Sequence, residues 1–185
     1  DDKFIAAIEK PYGFLYHSRI HAHPDHFLDW DKPLSEQSEH VRKTLFGKDG
    51  IVHNIRTASE GFSPDVMDFL EHHVNDDFEG LTGDKFHSVL NKLSENDMLP
   101  ANGPGVNEAQ DMGHNKRAVG AFLKNEGIRG IRYLDQGSRG AGQGTHNYVV
   151  FDPKDIEIMK RYAQGGEVYH GHAPGHRHES AVDRA

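Results

Sequence analysis

The chain has 185 residues, no cysteine and a formal net charge of −8 with histidine neutral. That length fits one domain with a real core, the lack of thiols excludes disulfides, zinc ribbons and thiol catalysis, and the acidic balance argues against a broad nucleic-acid-binding face. No apolar run approaches a membrane span and no signal peptide is visible, so the expectation is a cytoplasmic protein with no membrane partner.

The chain starts at Asp1, not Met, and stops in a run ending at Ala185, which reads as a fragment or processed product. Residues 3–10 can form a short helix. After Pro11-Tyr-Gly13, the alternation of Phe14 to Ile20 predicts a strand. His21 to His26 reads as a turn, and Phe27 to Leu34 as a strand end running into a loop. Residues 40–95 read as helices. Ser35 to Glu39 opens the first, with serine and acids in its first turn and Val41, Leu45 and Phe46 as its apolar face. Val66 to Phe78 carries Met67, Leu70 and Val74 at helical spacing. Thr82 to Leu93 repeats the pattern with Phe86, Val89, Leu90 and Leu93.

Residues 94–113 hold Pro100, Gly103, Pro104, Gly105 and Gly113 and read as a long loop. Lys116 to Glu126 predicts a helix with Val119, Phe122 and Leu123 inward and Gly127 ending it. Ile131 to Leu134 is a β run. A polar loop with glycines at 137, 140, 142 and 144 follows, and Tyr148 to Phe151 is a second β run stopped by Asp152-Pro153. Asp155 to Tyr162 reads as a final strand or a short helix. From Gly165 the chain is polar and rich in histidine, and residues 165–185 read as a flexible tail. The whole chain holds 15 histidines, so its net charge climbs steeply as pH falls through 6.

Two constellations could carry chemistry. His21-Ala-His-Pro-Asp-His26 fits the H-x-H-x-D-H ligand pattern of metallo-β-lactamase-like hydrolases. Imidazoles and a carboxylate placed after a strand suit zinc ions that acidify a bridging water. That pattern needs an apolar strand before it and glycines after it. Here His17 and Arg19 precede and Phe27-Leu-Asp-Trp30 follows. The competing reading of His21, His23, Asp25 and His26 is a polar turn.

The second constellation is the strand–glycine loop–strand of Gly127 to Asp152. A flexible polar loop between strands is a common way to build a ligand site. Together with Leu28-Asp-Trp-Asp-Lys-Pro-Leu-Ser-Glu-Gln37, it resembles the ADP-ribosyltransferase-like domain of phage and mobile-element polyvalent proteins. The resemblance covers most of residues 14–162 and is weakest over 47–113. It implies an α+β fold with a central, mostly antiparallel split sheet and packed helices, spanning residues 1–164. It also implies NAD as substrate, no metal, and a protein or other macromolecular acceptor in a host cell or carried with a virion.

Asn147 and Gln143 are the catalytic candidates implied, for ribose contact and acceptor positioning. Arg139, Tyr133 and Ser138 are the cofactor-binding ones, with Arg139 meeting the pyrophosphate. The strand around Val149 is expected as an inner element whose leading edge faces a dinucleotide pocket.

Two departures stand out. Related enzymes carry a glutamate where this chain has Asn147, and an amide cannot supply the charge that stabilises an oxocarbenium-like transition state. Their nicotinamide-binding Tyr-His-Gly-Thr strand has no counterpart: Tyr16-His17-Ser18 sits too close to Leu28. The chain thus reads as the C-terminal portion of such a domain, completed by an upstream segment or a partner chain, or as a degenerate interaction module. Trp30 can stack on a base or plug the core edge, and Tyr133 can serve as a plain sheet residue. The adjacent His72 and His73 cannot share one ligand. His170, His172, His176 and His178 could bind metal adventitiously.

Overall fold

Apolar residues three and four positions apart build most of this molecule. The computed structural model describes residues 15–100, 104–142 and 144–162. In chain order the elements are β1 (Leu15–Ile20), β2 (Phe27–Asp29), α1 (Glu39–Phe46), α2 (Ile51–Ala58), α3 (Pro64–His73) and α4 (Gly83–Glu95). There follow α5 (Val106–Asp111), α6 (Asn115–Asn125), β3 (Gly130–Leu134), α7 (Gln136–Arg139), β4 (His146–Val150) and β5 (Ile156–Tyr162). The fold is α+β, about half helical, with packed helices and two small, mostly antiparallel sheets.

Two units divide the chain. One is Ile20–Glu157; the other joins Asp1–Arg19 to Ile158–Ala185, and its described part lies in β1 and β5, which pair as a two-stranded sheet. The larger unit contains a three-stranded sheet in the order β2-β3-β4. Strand β2 runs parallel to β3, with Leu28 opposite Ile131, and β4 runs antiparallel to β3, with Val149 opposite Ile131 and Asn147 opposite Tyr133. The described strands thus split between two sheets instead of forming one central sheet. The expected helix at 3–10, the tail from 165 and the boundary at 164 lie outside the described residues.

Helices α4 and α6 supply the centre of the core. Phe86, Leu90, Leu93, Val119 and Leu123 are fully buried, together with Leu28 of β2. Each such side chain contributes roughly 1.5–3 kcal/mol by leaving water. Ser38 caps α1 by accepting from the Val41 amide, 3.2 Å. Gly127 (φ +95°) follows the last turn of α6, where its left-handed backbone lets the Ile128 amide reach back to the Leu123 carbonyl, 2.9 Å. That reversal delivers the chain directly into β3.

Three expectations change. Residues 94–113 are not one loop, because α5 lies inside them. Its single turn and a half is too short for periodicity to reveal, yet Val106 and Ala109 are buried, and the Glu108 carboxylate accepts from the Gly105 amide at 3.0 Å. At the start of α3 the inward residue is Val66, with Met67 43% exposed, while Leu70 and Val74 pack on the core as expected. Residues 155–162 resolve as a strand, β5, preceded by one 3-10 turn.

The Leu28–Gln37 block has a structural account. The Gln37 amide acts as a substitute strand: its Oε1 accepts from the Asp29 amide at 2.7 Å, and its Nε2 donates to the carbonyls of Asp29 (2.8 Å) and Lys32 (3.0 Å). The outer edge of β2 is thereby closed. The buried Asp29 carboxylate meets Arg132 of β3, with Oδ2 2.9 Å from Nη2 and 3.0 Å from Nε. Asp31 Oδ2 accepts from the Leu134 amide at 2.7 Å. A Cβ on Gly83 would run into the Asp29 carbonyl, so only glycine lets α4 start against the end of β2.

Candidate binding cleft beside β4

Strand alternation sets the cleft. Residues Ile131 and Tyr133 of β3 point to one face, opposite to Arg132. The register puts Val149 and Asn147 on that same face, beside Ile131 and Tyr133. The chain leaves β2 at Trp30, whose amide still donates to the Arg132 carbonyl at 2.9 Å. Trp30, Ile131, Tyr133 and Val149 then line an open cavity of about 310 Å³ without a charged group in its wall. Trp30 is the chain's sole tryptophan. Asn147 is exposed next to this cavity rather than part of its wall.

Behind the indole stands His87 of α4, with ring centroids 5.1 Å apart. Burial, helped by the charge of Lys116, pushes the His87 imidazole down to about 4, so it is neutral at physiological pH. Its Nδ1 lies 3.0 Å from Asn91 Nδ2. With that amide donating, Nδ1 is the bare acceptor nitrogen and Nε2 carries the proton. The Asn91 Oδ1 atom is buried and has no partner.

The glycine loop is closed by a small polar knot. Asp135 caps α7: one carboxylate oxygen accepts from the Ser138 amide at 2.7 Å, and the other accepts from the Thr145 hydroxyl. Those bonds, the Thr145 one first, hold the Asp135 carboxyl below its ordinary range. Ser138 Oγ in turn accepts from the Thr145 amide at 3.1 Å. Ser138, expected to contact the cofactor, spends its hydroxyl on pinning the loop ends together. Tyr133 and Asn147 are brought side by side as cross-strand partners. Gln143 and the side chain of Arg139 lie outside the described residues.

Among the described residues the strand around Val149 is not an inner element. In its sheet β3 is inner, and β4 forms the edge, with Tyr148 40% and Val149 46% exposed. The half-buried ring of Trp30 packs on His87, as a residue at the core edge does, and its other side walls the cavity. The sequence marks Ile131 and Val149 as strand residues but not as lining, and it does not single out His87. The β run could have nominated the first two, but nothing in the sequence ties position 87 to Trp30.

Of the His21–His26 motif, His23, Asp25 and His26 line one open pocket with Glu39, His40 and Lys43, while His21 turns to Glu157. His21 Nε2 lies 3.0 Å from Glu157 Oε2. His23 Nδ1 accepts from the Asp25 amide at 3.2 Å, capping the 3-10 turn that follows. His26 stacks on His40 of α1 with ring centroids 3.9 Å apart. Burial first, then the neighbouring His40, His23 and Arg129, lower the His26 pKa. Among the described residues no group of three or more His, Asp or Glu side chains could hold a metal ion. His72 and His73 each bond a carbonyl of their own helix, Asp68 and Phe69. The four tail histidines lie outside the described residues. Among the described residues no helix is long and apolar enough to cross a membrane.

No family model, curated protein or solved structure matches this chain.

Proposed function

We propose that the chain is an ADP-ribosyltransferase-like module that holds NAD beside β4 and passes ADP-ribose to a host macromolecule. The observation that carries this reading is the uncharged cleft of Trp30, Ile131, Tyr133 and Val149 next to Asn147. Two aromatic walls suit a flat heteroaromatic ring by stacking, and a cationic nicotinamide gains further from the ring faces. Asn147 then reaches a ribose hydroxyl, Arg139 meets the pyrophosphate and Gln143 positions the acceptor. In the transfer the bond from ribose C1′ to the nicotinamide nitrogen breaks, nicotinamide leaves with the electron pair, and an acceptor atom bonds to C1′ and gives up its proton to solvent.

A second reading, a binding module without turnover, is favoured by one feature of the same site. Among the described residues no carboxylate lines the cleft, and both oxygens of Asp135 in the adjoining loop accept bonds from Ser138 and Thr145. Among the described residues no free carboxylate stands at the cleft to oppose the positive charge of an oxocarbenium-like transition state.

Titration with NAD tests both readings through the fluorescence of Trp30. Quenching that saturates, with matching heat in calorimetry, is the expected result. The Trp30→Phe variant, silent in fluorescence, should retain the heat, whereas Trp30→Ala should lose it. Absence of both signals in the unaltered chain would remove the NAD reading. Asn147→Glu separates the two readings: release of nicotinamide about tenfold or more above the parent chain fits a transferase lacking its acid. Unchanged release with intact binding leaves the binding module.

A further inference from the structure

Among the described residues one edge of the three-stranded sheet carries no partner strand, and this suggests how an acceptor is held. Strand β4 is His146-Asn-Tyr-Val-Val150, which has no proline, no Lys, Arg, Asp or Glu, and a regular register against β3 throughout. Those are the devices by which natural edge strands avoid pairing, and β4 lacks them. The Trp30 amide bonds the Arg132 carbonyl, so the backbone groups of Arg132 face β2. By alternation those of Ile131 and Tyr133 face β4 and engage Val149 and Asn147. The N–H and C=O groups of His146, Tyr148 and Val150 therefore point away from the sheet, and among the described residues no hydrogen bond is made to them.

We propose that the outer edge of β4 docks an extended, basic segment of an acceptor protein by strand addition. Five residues at about 3.4 Å each give an edge of roughly 17 Å, enough for a short peptide ladder. A strand added there sends alternate side chains over the face that holds Tyr133, Asn147 and Val149, so one of them comes to lie beside the cleft. Naming the docked segment an acceptor rests on the NAD reading; the docking itself does not. The occupant is a basic peptide rather than a second copy because the chain carries a net charge of −8, which repels another like it and attracts lysine-flanked segments.

The test is fluorescence anisotropy with a labelled heptapeptide of alternating valine and threonine, bearing a lysine at each end, in the absence of NAD. Binding is expected, weaker with glutamate at the ends and weaker in high salt. Tyr148→Ala keeps the outward N–H and should bind. Tyr148→Pro removes that N–H without touching the β3 ladder, since edge proline is tolerated where its nitrogen faces solvent. It should bind about tenfold more weakly than Tyr148→Ala. His146→Pro gives the same readout if Tyr148→Pro does not fold, as judged by circular dichroism. Equal affinity for the proline and alanine variants would overturn the proposal. So would self-association of the peptide-free chain in sedimentation that either proline variant abolishes, because the edge would then belong to a second copy. Because no NAD is present, loss of Trp30 quenching and loss of peptide binding are separate results.

Discussion

The buried ion pair and the neutral histidine are the residues on which the cleft depends. Asp29 is 3% exposed, and Arg132 makes both contacts to its Oδ2. Removing one partner strands a charge in the interior. Arg132→Ala should lower stability by about 3 kcal/mol in denaturant unfolding, whereas replacing both partners by apolar residues should cost less. Gln37→Ala should cost about 2 kcal/mol, because it leaves the Asp29 amide and carbonyl buried and unmet. His87 adds a pH dependence. Its folded pKa of about 4 lies below the unfolded value of 6.5, so its contribution is complete above pH 6.5 and is lost as pH falls toward 4. Thermal melts across that window should show the loss, and His87→Phe should flatten it. Acid that unfolds parent and variant alike would show that His87 is not the group responsible.

At the scale of elements, the helices were legible where several apolar residues repeat. Phe86, Val89, Leu90 and Leu93 announce α4, and Val119, Phe122 and Leu123 announce α6. The end of α6 was legible through Gly127, and the start of α1 only as the run Ser35 to Glu39, of which Ser38 proves to be the cap. What stayed hidden had few residues to speak for it. Helix α5 has two buried side chains and α7 is a single turn, so neither shows a period. The edge position of β4 was unreadable because Tyr148-Val-Val-Phe151 has the composition of an inner strand; its exposure follows from pairing order, which composition does not encode. In the site, Tyr133 and Asn147 stand side by side across β3 and β4, and Ser138 has a loop-closing bond to the Thr145 amide that the sequence does not announce. A hydroxyl in a polar loop looks alike whether it meets a ligand or an amide seven residues on. The loop itself makes a prediction: Asp135→Ala removes the cap of α7 and the knot to Thr145, costing about 1 kcal/mol. Limited proteolysis should then cut faster within 136–145, with little change elsewhere.

For the whole molecule, charge sets behaviour in solution. The formal charge of −8 counts the 15 histidines as neutral, and the isoelectric point is near 6.0. Acidification from pH 7.5 therefore removes the net repulsion between chains at the pH where His87 and His26 also begin to oppose folding. Solubility should pass through a minimum close to pH 6 and recover above pH 7, as measured by turbidity after brief incubation. A solubility profile flat across that range would contradict this account.

The side-chain amide of Gln37 occupies one flank of the three-stranded ladder at Asp29, and among the described residues nothing pairs with the opposite flank. Growth can therefore proceed in one direction only and must halt after the incoming chain runs out of matching flank. Whatever joins at β4, two such molecules cannot continue into an endless fibre through this sheet, since each presents a dead end behind its open side. A bare edge that would otherwise invite runaway stacking is in this way limited to a single guest.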